Sequence, residues 1–186
     1  IYDNATEAAH AILSDYKKVR EAAGREGPFR IRVSDSQTLF AAQGVLAAET
    51  VRLINAGTKI GDIRQRISDL TPKTTGYAVV PDLYYVHKRA RKKGDKSVGF
   101  VGALMGSALD IKPILCARRD QTFPVAKVRG FESAVEKLFA HACQCVEDGL
   151  LTPIVCVSYA GDPDAAFQMP GFNALKAAAE KHDVQL

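Results

Sequence analysis

Residues 111–128 constrain the fold of this chain more than any other stretch. Ile111 to Cys116 and Phe123 to Val128 are two strand-like apolar runs, parted by the polar Arg118-Arg119-Asp120-Gln121, which predicts a β-hairpin. Helical periods flank it. Phe131 to Val146 and Phe172 to Lys181 repeat their apolar residues every three or four positions, as do Tyr2 to Ala23, Thr38 to Ala56 and Ile60 to Leu70. Gly24, Gly57 and the pair Thr71-Pro72 stand where those helices should stop. Three further runs read as strands: Phe29 to Val33, which alternates apolar and basic residues, Tyr77 to Val80 before Pro81, and Ile154 to Val157. Asp82 is placed to cap a helix running through Leu83, Tyr84 and Val86. Strands interleaved with helices, one hairpin among them, predict an α/β fold with a mixed sheet and packed helices.

Composition bears this out and removes whole classes of function. With 186 residues, 47% of them apolar and 25% charged, the chain can bury a real core, so it is neither disordered nor collagen-like. No apolar run approaches the ~18 residues a spanning helix needs. Four cysteines, Cys116, Cys143, Cys145 and Cys156, are too few for a disulfide scaffold, and a reducing cytoplasm is the expected compartment. The first residue is Ile1 rather than Met, and helical periodicity starts at once, so a processed, trimmed or partial chain is expected.

Four features could carry chemistry. His141-x-Cys143-x-Cys145 puts His141 and Cys145 on one helix face and Cys143 on another, with no second pair at finger-like spacing, so no metal site is expected. The net charge is 25 − 21 = +4, yet six basic residues fall between Lys88 and Lys96, a local patch able to meet phosphates or an acidic protein. A solvated loop or a docking patch for an acidic partner is the preferred reading, because no nucleic-acid fold signature accompanies the run. Ser34-Asp35-Ser36 follows the strand at 29–33; no histidine stands in a hydrolase motif, so no catalytic set emerges, and capping of the next helix is the simpler role. Finally, Gly99, Gly102 and Gly106 interrupt a helical pattern from Val98 to Leu109. Glycine weakens a helix by roughly 1 kcal/mol relative to alanine, so three of them call for a close packing neighbour or a ligand.

The block Ala103-Leu104-Met105-Gly106-Ser107-Ala108-Leu109-Asp110-Ile111-Lys112-Pro113-Ile114-Leu115, with Val125-Ala126-Lys127-Val128-Arg129-Gly130 after it, resembles the most characteristic stretch of the DegV family. Val33-Ser34-Asp35-Ser36 is similar to that family's Val-Ile-Asp-Ser. Gln43-Gly44 falls at its glycine-containing helix start, and Tyr2-Asp3-Asn4-Ala5 is similar to the residues just after its Leu-Ser-Gly-Thr-Tyr motif. The resemblance implies a non-enzymatic protein that holds one long-chain fatty acid between two lobes and presents its carboxylate to a fatty acid kinase. It implies that residues 1–36 end the first lobe and that 37–186 form a second lobe incomplete at its C-terminus. On this resemblance the acyl tail would lie against Phe100, Val101, Leu104, Met105 and Ile114. Arg129, Lys88, Arg89 and Arg91 would serve partner docking. No cofactor, catalytic residue, metal, nucleic acid or membrane insertion is implied.

The departures matter as well. The family's carboxylate-binding serine and an upstream threonine would precede Ile1, and its His-x-Gly-Pro-Gly-like segment would come after Leu186. The family's Lys-Gly-Gly-Arg-Ile is replaced by the longer run from Lys88 to Ser97. Two rival readings remain from the residues alone: an acyl or phosphoryl transferase using Ser34, Asp35 or Ser36, and a nucleic-acid or protein interaction module built on residues 88–96.

Overall fold

A computed structural model describes residues 2–93 and 110–186. They divide into two compact units, Ile1–Ser36 and Gln37–Leu186.

In the first unit, helix α1 (Tyr2–Ala22) follows the apolar spacing, and Gly24 ends it in the left-handed conformation, φ 60°, which a residue without Cβ adopts freely. The chain then doubles back. The Phe29 ring meets Tyr16 at 4.8 Å, and Arg20 lies over Phe29 while donating to the carbonyls of Glu26 and Gly27. The strand predicted at Phe29–Val33 does not form: residues 28–36 belong to no helix or strand. An extended run points its N–H and C=O groups sideways and becomes a strand only beside a neighbour, and among the described residues this run has none.

The second unit holds the rest: α2 (Ala42–Asn55), α3 (Ile60–Leu70), a tight 3-10 turn (Thr71–Lys73), β1 (Gly76–Val79), α4 (Leu83–Lys93), β2 (Ile111–Arg118), β3 (Gln121–Arg129), α5 (Phe131–Asp148), α6 (Pro163–Phe167) and α7 (Phe172–Lys181). The helix predicted from Thr38 starts only at Ala42, because the Thr38 hydroxyl is used elsewhere, donating to the Ala117 carbonyl at 2.9 Å. Asp82 caps α4 as predicted, its Oδ1 accepting from the Tyr84 amide at 2.7 Å. Helix α6 has no counterpart in the sequence reading, although its signals are ordinary: Pro163 in the first turn and Asp162 accepting from the Asp164 amide.

The sheet is β1-β2-β3, and both pairings are antiparallel, which corrects the mixed sheet predicted within the α/β class. The parallel element is reduced to a single bridge, Ile154 to Gln185, in place of the strand predicted at Ile154–Val157. Directly opposed residues share a face. Tyr77 and Cys116, then Val79 and Ile114, therefore form the face under α5, where Tyr77 meets His141 edge-on at 5.0 Å and Val79 joins the core. That core is Val135, Phe139 and Val146 of α5 against Phe172 and Leu175 of α7. Among the described residues β3 is an edge strand, and it carries features that keep edges unpaired: Pro124, Lys127, Arg129 and a register shift opposite Ile114 and Leu115.

Candidate functional site

The basic helix and the end of the hairpin come together at one side of the sheet. Lys112 of β2 extends its ammonium to the Pro81 carbonyl, 2.5 Å away, and to Asp110, 2.9 Å away, so it fastens the turn before α4 to the strand. The residue opposite Lys112 is Val128, and Arg129 follows it, paired with Ile111 at the strand end. The start of α4 and Arg129 are thereby held at the same end of the hairpin. Arg129 and Lys127 oppose Ile111 and Pro113, on the sheet face turned away from α5, and both are exposed. Among the described residues Arg129 makes no hydrogen bond or ion pair, and a guanidinium is well suited to a carboxylate or phosphate.

On α4, Tyr84 and Tyr85 are 50% and 69% exposed with their rings edge to face, and Lys88 lies over the Tyr84 ring at 5.8 Å. Arg89 and Arg91 belong to the same helix. Basic residues in a last helical turn also meet the negative end of the helix dipole, which favours a helix at this composition. The face pairs aromatic area with positive charge, and it suits an acidic partner.

The residues predicted to line the acyl tail fall elsewhere. Phe100, Val101, Leu104 and Met105, and the glycine-spaced helix predicted from Val98 to Leu109, lie outside the described residues. Ile114 is described, 4% exposed in the central strand opposite Val79. An open groove of about 650 Å³ between α7 and residues 157–159 is walled by Val157, Tyr159, Phe167, Phe172, Val184 and Leu186. Of the described residues predicted for the site, Ile114, Lys88 and Arg129 do not line it.

The cysteines behave as small apolar side chains. Burial pushes all four thiols up, so thiolate is suppressed. His141 Nε2 stands 3.7 Å from Cys145 Sγ, as helical spacing requires, and no group of three metal-ligating side chains occurs among the described residues. Ser34 is exposed, and Asp35 and Ser36 take part in contacts of their own.

The sequence reading missed the strongest polar cluster. Glu49 is fully buried on α2 and accepts from Arg52 Nε at 2.7 Å, Arg52 Nη2 at 3.0 Å, Arg66 Nε at 3.3 Å and the Thr152 hydroxyl at 2.7 Å; Arg66 Nη2 also donates to the Leu151 carbonyl. The Arg52 hydrogen bond, aided by Thr152 and Arg66 and opposed by burial, holds the Glu49 carboxyl down at about 2. Glu49 and Arg52 stand three apart and were legible as a helical pair; Arg66 and Thr152, 17 and 103 residues away, were not. Every lone pair is used inside the fold, so the cluster is structural rather than a place to bind.

Comparison with known proteins decides the lineage. The family model described as "Uncharacterised protein, DegV family" matches residues 1–185. The chain belongs to the DegV family. A DegV domain-containing protein of Xanthomonas campestris pv. campestris is 52% identical over 186 residues, covering 100% of this chain and 59% of the relative. Among solved structures, a stearic acid-binding protein from Eubacterium ventriosum superposes with a TM-score of 0.68 at 18% identity, over 100% of this chain and 56% of that one. A DegV-family protein of Ruminococcus gnavus, described with vaccenic acid, gives a TM-score of 0.63 at 17% identity, over 97% and 56%. This DegV-family chain thus spans somewhat over half the length of the proteins it matches. Among its described residues no helix is long and apolar enough to cross a membrane.

Proposed function

We propose that the protein of which this chain forms part holds a long-chain fatty acid by burying its tail in an apolar slot, and presents the carboxylate to a partner kinase without a reaction of its own. The observation that carries the reading is the DegV-family match over residues 1–185, in a family whose solved structures include one described with vaccenic acid. In this reading Phe100, Val101, Leu104, Met105 and Ile114 wall the tail, and no cofactor takes part. The division of the chain at Ser36/Gln37 supports assigning residues 1–36 to the end of one lobe and 37–186 to an incomplete second. Arg129, Lys88, Arg89 and Arg91 dock the kinase, an acidic surface or a phosphate being what this charge attracts. The protein is read as cytoplasmic.

Native mass spectrometry of the complete gene product tests this. One fatty acid should co-purify per chain, and affinity should rise with tail length, since each buried methylene is worth about 0.8 kcal/mol, or roughly fourfold in affinity. A chain that purifies empty and binds short and long acids equally would end the proposal. Arg129→Ala should leave fatty acid affinity unchanged and lower acyl phosphate formation by the kinase about tenfold or more; a loss of lipid binding instead would move Arg129 from docking to the ligand.

A further inference from the structure

The stretch that opens the second unit is strained, and so is the turn it packs on. Four non-glycine residues there hold left-handed backbone: Gln37 (φ 51°), Phe40 (φ 60°), Arg119 (φ 48°) and Asp120 (φ 61°). Such conformations are uncommon outside glycine and persist only where the surroundings impose them. Arg119 and Asp120 are the two central residues of the β2–β3 turn, a position where two-residue hairpins ordinarily carry Asn-Gly or Asp-Gly.

The two strained stretches hold each other. The Asp120 amide donates to the Gln37 carbonyl at 3.0 Å, and the buried Thr38 hydroxyl donates to Ala117 at 2.9 Å. Gln43 Nε2 donates back to the Thr38 carbonyl at 3.2 Å, and Arg119 Nε reaches the Pro72 carbonyl from the other side at 3.2 Å. Gly76 opens β1 where the strap passes: a Cβ there would stand 2.5 Å from the Leu39 carbonyl oxygen. Gln37 is also the first residue of the second unit.

We propose that residues 37–40 form a spring-loaded clasp at the start of the second unit. Bonds to the β2–β3 turn and to Ala117 keep the strap in its strained, short form. Once they open, Gln37 and Phe40 relax into extended backbone, and four extended residues reach about 13 Å. The turn is the catch; its own left-handed residues are set by the two-residue hairpin and stay as they are when the strap opens.

Native-state amide exchange on the full chain tests this, with the Asp120 amide as reporter and amides within α5 as internal reference. Phe40→Gly removes a left-handed penalty at an exposed side chain and touches neither the Gln37 carbonyl nor the Thr38 hydroxyl, so Asp120 should exchange about fivefold more slowly relative to α5. Gly76→Ala should push the Leu39 carbonyl away and speed Asp120 exchange about tenfold or more, with α5 changing less. If Phe40→Gly leaves the Asp120 rate unchanged or faster relative to α5, there is no stored strain and the clasp is refuted. Equal acceleration of Asp120 and α5 in Gly76→Ala would refute it too, since the opening would then be global.

Discussion

Helices α1 and α7 carry apolar residues at the same kind of spacing, yet the two end in opposite situations. On α7, Phe172, Leu175 and Ala179 are all buried, facing Phe139 and Val146 of α5. On α1, Ala9 is the buried residue, while Ile12, Tyr16 and Val19 stay 52%, 41% and 57% exposed. The unit containing α1 is held by neighbours in sequence, Tyr16 on Phe29 and Arg20 on Phe29, Glu26 and Gly27. The unit containing α7 is held by contacts between distant segments, from Thr38 to Ala117 and from Glu49 to Thr152. Apolar periodicity states that a helix has a face to bury, and only the rest of the fold states whether something covers it.

Substitutions can break or sharpen that contrast. The largest effects are expected at Glu49 and Leu175. Glu49→Ala leaves the buried Thr152 hydroxyl without its acceptor and takes the carboxylate from Arg52 and Arg66, whose side chains are 43% and 39% exposed and keep access to water, so a loss of about 3 kcal/mol is expected, read as a fall in the urea midpoint at unchanged slope. Leu175→Ala, at a fully buried position, should cost about 2–5 kcal/mol by the same measurement. A loss below 1 kcal/mol would mean that the α5–α7 core is looser than its packing indicates.

Acid provides the next test. The Glu49 carboxyl titrates near 2 in the fold and near its ordinary value of 4.5 in the unfolded chain. The folded value is the lower one, so its stabilisation is complete above pH 4.5 and is lost as pH falls towards 2. On the order of 3 kcal/mol is involved. Thermal melts from pH 6 to 2 should show that loss, and the Glu49→Gln variant should show a flatter profile over the same window.

Smaller effects are expected in the first unit. Arg20→Ala removes a ring contact and two hydrogen bonds on an exposed surface, and should lower stability by about 1 kcal/mol or less. Val19→Ser should change the 186-residue chain by no more than about 0.5 kcal/mol, as surface substitutions do. The same change in a longer chain sharpens the comparison: a cost above 1 kcal/mol there would mean that the α1 stripe has found its cover.

Much of this architecture was legible before any coordinates. Local signals decided the hairpin, the Asp82 cap and the α1, α5 and α7 runs, since each needs only residues a few positions apart. Where a segment's state depends on a distant partner, reading the residues failed in a consistent way. Phe29–Val33 has strand composition and no strand beside it, and Ile154–Val157 reaches only one bridge to Gln185. Thr38 has helix periodicity on its C-terminal side, and its hydroxyl is claimed by Ala117, 79 residues on. The site divides in the same manner. Arg129 and the basic run were visible as charge, but that Lys112 fastens the start of α4 to the Arg129 end of the hairpin required the fold.

By itself, then, the amino-acid sequence determined the α/β class, the helical faces, the hairpin and the family, because period, turn chemistry and motif order are properties of neighbours along the chain. Only the tertiary structure decided that the sheet is antiparallel, that Glu49 is a buried four-bonded node and that residues 37–40 are pinned in a strained form. Each of these rests on groups brought together across many residues, where the free energy of a buried charge or a left-handed backbone depends on partners that sequence proximity does not reveal.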